Sequence, residues 1–233
     1  MLTVSEIWRF PVKSLGGEQL DAADVDELGI AGDRQWGLYD PATGMVLTAR
    51  REPDLLFLSS RLDGGRPVIT DEHGAVLADD AALSARLGRP VELRAASDGP
   101  GTFENPMDVD NEADWMQWQS SGGTFHDGRS KISLVSRASL GEWDRRRFRI
   151  NLILDGSGEE TLAGDVTVGA ARLSIRKPID RCIMISRAQP GIDKDLSVLK
   201  RVIKERDNKL GIGAVVTSPG AIAVGDVVSG IDS

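Results

Sequence analysis

The chain has 233 residues, 40% of them hydrophobic and 27% charged, the balance of a soluble globular protein with a real core. A formal net charge of -8 disfavours broad binding to nucleic acid or an anionic membrane, so any anionic ligand has to be held by a local basic cluster. One cysteine and two histidines exclude an intrachain disulfide, a four-cysteine zinc site and an iron–sulfur cluster, and leave little for a His-rich metal site.

No stretch approaches the apolar length needed to span a bilayer, so no membrane association is expected. The opening MLTVSEIWRFPVKSL has neither the basic start nor the long apolar run of a signal peptide, and a lone thiol suits a reducing compartment; a cytoplasmic protein is expected. Leu2 to Phe10 predicts a strand that stops at Pro11. Gln35 to Tyr39 predicts another, closed by the turn residues 40–44. Strand-like runs follow at Met45 to Leu47, Leu55 to Leu62, Pro67 to Thr70 and Ala75 to Ala78. Asp80 to Leu87 predicts a short helix with Asp79 or Asp80 as N-cap and Gly88 just past its end. Val91 to Ala95 is strand-like again. Residues 96–111, rich in Gly, Pro, Asp and Asn, predict a linker or long surface loop. Asp114 to Gln119 carries two tryptophans, and residues 120–128 read as flexible.

In the second half, Ile132 to Val135 predicts a strand and Ser139 to Arg146 a short helix. Further strands are expected at Phe148 to Leu154, Val166 to Val168, Ala171 to Arg176 and Cys182 to Ile185. Leu196 to Arg206 places Leu196, Leu199, Val202 and Ile203 at helical spacing, an amphipathic helix packing on a barrel. Ala214 to Thr217, Pro219-Gly220, Ala221 to Val224 and Val227-Val228 predict a closing hairpin. The expected class is mainly β with a few short helices. A β-barrel-like N-terminal domain would span residues 1–96, a linker 97–119, and a second β-barrel 120–233.

Four groups of residues carry possible chemistry. Cys182 lies in KPIDRCIMIS; a lone cysteine is commonly inert packing, but Arg181 beside it, with Arg176 and Lys177 upstream, favours the thiolate that binds soft metals or attacks electrophiles. Asp180 opposes that effect or pairs with Arg181. In FRINLI, Arg149 and Asn151 share one strand face, which suits a planar polar ligand; an outward Arg and a turn Asn is the plainer alternative. Lys13, Ser14 and the glycines after them resemble a phosphate-cradling turn without P-loop spacing. Arg34, in GDRQW, adds another cation or is simply solvated.

In combination and order, these segments resemble MOSC proteins. PVKSLGGE, GDRQW and TARREP resemble the family's N-terminal barrel region. FRINLIL, PIDRCIMIS and the ending GIGAVV…PGAIAVGDVV resemble the MOSC domain itself, so the likeness runs through nearly the whole chain. For MOSC proteins of the amidoxime-reducing kind, the resemblance implies molybdenum cofactor (molybdopterin) binding. Cys182 falls on the metal-ligand and catalytic position. Lys13, Ser14, Arg34, Arg149, Asn151 and Arg181, with Ser130 more loosely aligned, fall on the anchors of the pterin and its phosphate. Pyridoxal phosphate binding is carried as a family-level expectation. The implied activity is reduction of small N-oxygenated or N-hydroxylated substrates with electrons from a separate redox protein. Asp180, Asp127 and His126 are the possible general acids. Two other classes compete: a non-catalytic carrier of the cofactor, and a sulfur-transfer protein with a persulfide on Cys182.

Overall fold

The computed structural model describes residues 1–106, 114–126 and 130–230. The first half supplies strands β1 (Leu2–Arg9), β2 (Glu18–Leu20), β3 (Ala22–Asp26), β4 (Gly29–Ile30), β5 (Trp36–Asp40), β6 (Met45–Val46), β7 (Ser59–Asp63), β8 (Arg66–Thr70), β9 (Glu92–Ala95), β10 (Thr102–Pro106) and β11 (Trp115–Gln119), with helix α1 (Asp80–Leu87). The second supplies β12 (Ile132–Ser136), β13 (Leu152–Asp155), β14 (Asp165–Val168), β15 (Ala171–Asp180), β16 (Lys209–Ser218), β17 (Gly220–Ala223) and β18 (Val227–Gly230), with α2 (Arg137–Leu140) and α3 (Leu196–Arg206).

Seven strands close a barrel in the order β13-β12-β16-β15-β14-β18-β1, and β1 pairs with β13 to complete the ring. All neighbours are antiparallel except β12 and β13, which are parallel. Alternation drives the closure: Leu2, Val4, Leu134, Leu152, Val166, Val168, Leu173 and Ile212 turn inward into one buried cluster. Around the other half, small sheets β6-β5-β9 and β7-β8 pack with α1 over a second core containing Leu38, Leu55, Leu58, Ile69 and Leu83. The α1 boundaries follow its caps: Asp79 accepts from the Ala82 N–H at 2.8 Å, and Gly88 ends the helix at φ 67°. α3 buries Val198, Leu199 and Val202 against the segment after Cys182.

Several segments depart from the sequence expectations. Pro53–Phe57 is a 3-10 turn ahead of β7 instead of strand, because Pro53 presets a helical φ and Leu55 and Leu56 both reach the core. The helix expected over 139–146 splits into α2 and a 3-10 turn at Arg145–Arg147, with Gly141 at φ 58° between them. Within the expected loop at 96–111, β10 pairs with β11 as a hairpin, anchored by fully buried Phe103. Nor is residues 120–126 a loose strap: Thr124, Phe125 and His126 are all buried.

The closing hairpin is not formed. β16 pairs with β15 and β12, β17 crosses to β3, and β18 returns to β14 and β1. Pro219 lacks an N–H to continue the ladder, so the chain leaves the barrel there. Gly17 shows how tightly the N-terminal turn is packed: a Cβ there would run into the Arg9 carbonyl oxygen and lie 2.6 Å from Phe10 Cδ1. Gly17→Ala is expected to destabilise the fold by about 1–3 kcal/mol, measured as a lower urea midpoint; an unchanged midpoint would show that the turn yields freely.

Candidate functional site

The two halves meet over a cavity of about 820 Å³. Lys13, Ser14, Arg34, Ser130, Arg149, Asn151, Arg181 and Cys182 all line it, together with His126 and Asp180. Asp127 lies outside the described residues. Among the described residues, nine basic residues line the cavity — Lys13, Arg34, Arg50, Lys131, Arg147, Arg149, Arg176, Lys177 and Arg181 — against one carboxylate, that of Asp180. The local field is therefore opposite in sign to the net charge of -8.

Backbone strain is concentrated here. Ser14, Arg34 and Arg149 have φ of 70°, 52° and 53°, and they are three of five non-glycine residues with positive φ among those described. Each is held from outside itself. Ser14 Oγ accepts from the Ala49 N–H at 3.0 Å. The Arg34 N–H donates to Phe10 O at 2.8 Å, and Arg34 O accepts from the Phe125 N–H at 2.7 Å. The Arg149 guanidinium donates to Leu15 O, while Arg149 O accepts from Arg34 Nη2 at 3.0 Å. Both guanidinium groups lie over the Phe10 ring, at 5.0 Å for Arg34 and 4.5 Å for Arg149.

This geometry corrects the reading of FRINLI. Phe148 to Asn151 is not strand; β13 begins only at Leu152, because the left-handed turn at Arg149 breaks the extended run. Arg149 and Asn151 reach the cavity through that turn instead of along one strand face. Asn151 is fully engaged within the protein: Nδ2 donates to Trp8 O and to Asp33 Oδ2, each at 3.1 Å, and Oδ1 accepts from the Ser133 N–H and hydroxyl.

Asp33, absent from the sequence-derived set, is the centre of this network. It is fully buried, accepts the Phe10 N–H at 2.7 Å, takes the Asn151 amide, and forms an ion pair with Arg34. His126 Nε2 approaches the same carboxylate at 3.5 Å. Its one sequence signal is its place between Gly32 and Arg34.

The cysteine end is built separately. Cys182 is half-buried and caps a 3-10 turn over Ile183–Ser186, so the strand expected from Cys182 to Ile185 does not form. Arg147 explains the turn, donating to the carbonyls of Ile185, Arg187 and Asp193 at 3.1, 3.2 and 2.7 Å. Arg181, buried beside the thiol, donates to Phe148 O at 3.1 Å and through Nε to Leu210 O at 2.9 Å. Burial lowers its pKa to about 10, against the opposing pull of the Cys182 and Asp180 charges. Asp180 pairs with Lys177 at 3.5 Å instead of with Arg181, and both partners are exposed.

Several lining groups gave no sequence signal. Thr48 is buried, yet its Oγ1 has no hydrogen-bond partner among the described residues. Lys131 Nζ donates to Ser121 and Thr124 hydroxyls, each at 3.1 Å, and burial lowers its pKa.

Residues 1–118 match the MOSC N-terminal beta barrel domain and residues 111–229 the MOSC domain. The chain is 41% identical to mitochondrial amidoxime reducing component 2 of Bos taurus, over 85% of this chain and 69% of that protein. It is 22% identical to the molybdenum cofactor sulfurase of Homo sapiens, over 97% of this chain but only 32% of the sulfurase, so it spans about a third of that relative. The fold is similar to that of the YUAD protein from Bacillus subtilis, with a TM-score of 0.51 at 17% identity, covering 99% of this chain and 98% of that one.

Breaking the Asp33 network from one side leaves a buried cation and several donors without a partner. Asp33→Ala is expected to cost about 3–5 kcal/mol of folding stability, seen as a shift in urea midpoint, with a smaller shift for the isosteric Asp33→Asn. Equal stability of wild type and Asp33→Ala would sink the hub assignment.

Proposed function

Because the chain belongs to the MOSC family, with both of its domains matched, we propose that it holds molybdenum cofactor in the central cavity and reduces N-oxygenated compounds. The observation that carries this reading is the donor set: a free thiol in the wall of a cavity that Lys13, Arg34, Arg149 and Arg181 also line, with Asp180 the one carboxylate among the described lining residues. A thiolate suits a soft metal, and fixed cations suit a phosphate. The 41% identity to an amidoxime reducing component supports the substrate class.

In this reading Cys182 ligates the metal. Lys13, Ser14, Arg34, Arg149 and Arg181 present cationic or hydroxyl groups to the pterin and phosphate, and Ser130 lines the same cavity. Asn151 acts by locking Asp33 and Ser133 in place. When bound, the cofactor supplies the redox centre that takes oxygen from the substrate. The protein's own work is to hold that group, to keep its charge neutralised away from bulk water, and to offer a proton. His126, its Nε2 3.5 Å from the Asp33 carboxylate, is an imidazole in the wall placed to do so. Electrons come from a separate redox protein, and a reducing compartment such as the cytoplasm keeps Cys182 a thiol. Among the described residues, no helix is long and apolar enough to cross a membrane. Pyridoxal phosphate has no part in this reading.

The similarity to molybdenum cofactor sulfurases over 97% of the chain supports a second reading, in which Cys182 carries a persulfide. One comparison separates the two. Protein from a host rich in the cofactor is expected to carry stoichiometric molybdenum, falling to about a tenth or less in Cys182→Ala. Wild type should turn over N-hydroxybenzamidine with a strong artificial donor. Equal, negligible molybdenum in both proteins, with labile sulfur on Cys182, would favour the persulfide instead; cofactor without turnover would mark a carrier.

A further inference from the structure

β15 does not run straight into the cysteine. Its register against β16 slips between Ile175 and Lys177: Ile175 faces Ala214 and Lys177 faces Gly213, leaving Arg176 as an extra residue. Neighbours on a regular strand point to opposite faces, but a bulge re-aims them. Arg176 and Lys177 consequently both line the cavity. Arg176 has no hydrogen-bond or ion-pair partner among the described residues. Lys177 has only Asp180, in an exposed pair at 3.5 Å that holds it weakly.

Lys131 lines the same cavity. Lys131 precedes β12, and its ammonium is tied to two neutral hydroxyls instead of a carboxylate. Opposite Lys177 in the ladder lies Gly213 of β16, where a Cβ would collide with Ser130 Oγ and lie 2.7 Å from Ser130 Cβ. The Ser130 side chain fills that space and packs directly over the glycine. Arg176 and Lys177 stand six and five positions ahead of Cys182 along the chain.

We propose that Arg176 and Lys177, with Lys131 in the wall of the same cavity, form a second anion subsite that binds a phosphate or carboxylate carried by the substrate. This rests on the reductase reading for the reaction, but not for the binding. A substrate would turn its N-oxygenated group toward Cys182 and its anionic tail toward Arg176 and Lys177, all in the wall of one cavity. The same chemistry could serve the cofactor's own phosphate, and the experiment separates the two sources.

N-hydroxybenzamidine and its 4-carboxy derivative are compared on wild type and on the double variant Arg176→Ala/Lys177→Ala. Wild type is expected to show a KM about tenfold lower for the carboxylate, an advantage that shrinks with added salt. The double variant should lose that advantage, with the KM for the neutral compound and the molybdenum content unchanged. In parallel, 4-carboxybenzamidine and benzamidine are titrated calorimetrically into cofactor-free protein. The carboxylate should bind more tightly to wild type and equally to the variant. If neither hydroxylated compound is reduced, the reductase reading fails while the titration still decides the subsite. No preference for the carboxylate in the titration, or a variant that loses molybdenum and pterin, overturns the proposal; the second result would give the site to the cofactor's phosphate.

Discussion

Asp33 is a charge taken wholly out of water, and such a group is tolerated only when its lone pairs are filled. The way they are filled ties the molecule together. One oxygen takes the Phe10 N–H, fixing the chain as it leaves β1. The other takes Asn151 from the far side of the interface and Arg34 from its own turn. Asn151 passes the constraint on to Ser133 and Trp8, and Arg34 passes it to the Arg149 carbonyl. The cavity wall is thus a polar lattice whose members orient one another.

The lattice explains why strained backbone persists. Left-handed φ at Ser14, Arg34 and Arg149 costs free energy for residues with a Cβ, and each is over-determined by bonds to another segment. The return is directional: short turns aim long cationic side chains inward from three separate stretches of chain. Repulsion among these cations is the counterpart of a site made for an anion, and burial already lowers the Arg181 pKa to about 10. A protein of net charge -8 holds such a site with Asp33 bridging inside the wall and Asp180 the one carboxylate among the described lining residues.

Much of the fold was legible because it rests on periodicity and caps. α1 and α3 have the residue ranges that capping and spacing predict, and the short alternating strands were read as a barrel. The residues singled out for chemistry also line one cavity, since cysteine, arginine and lysine in unusual company stand out in a sequence. What stayed hidden depends on distant partners. A single left-handed residue turned the predicted strand at Arg149 into a corner, and three carbonyls gripped by Arg147 turned the predicted strand at Cys182 into a 3-10 turn. Asp33 reads locally as one more turn aspartate, and the bulge at Arg176 exists only in register with β16. Neither leaves a mark on its own segment.

The barrel takes its first strand from the beginning of the chain, and the other half takes β17 from near the end. During synthesis, β1 emerges long before its partners at Leu152 to Asp155 and Val227-Val228 exist. Loop closure over such separations makes late, non-local pairing a slow step, and an unpaired apolar strand is an aggregation hazard meanwhile. A chain cut between its halves would yield one piece with a gap in its barrel and another with a strand missing beside β3. The two regions that sequence similarity divides neatly are, as folding units, interlocked.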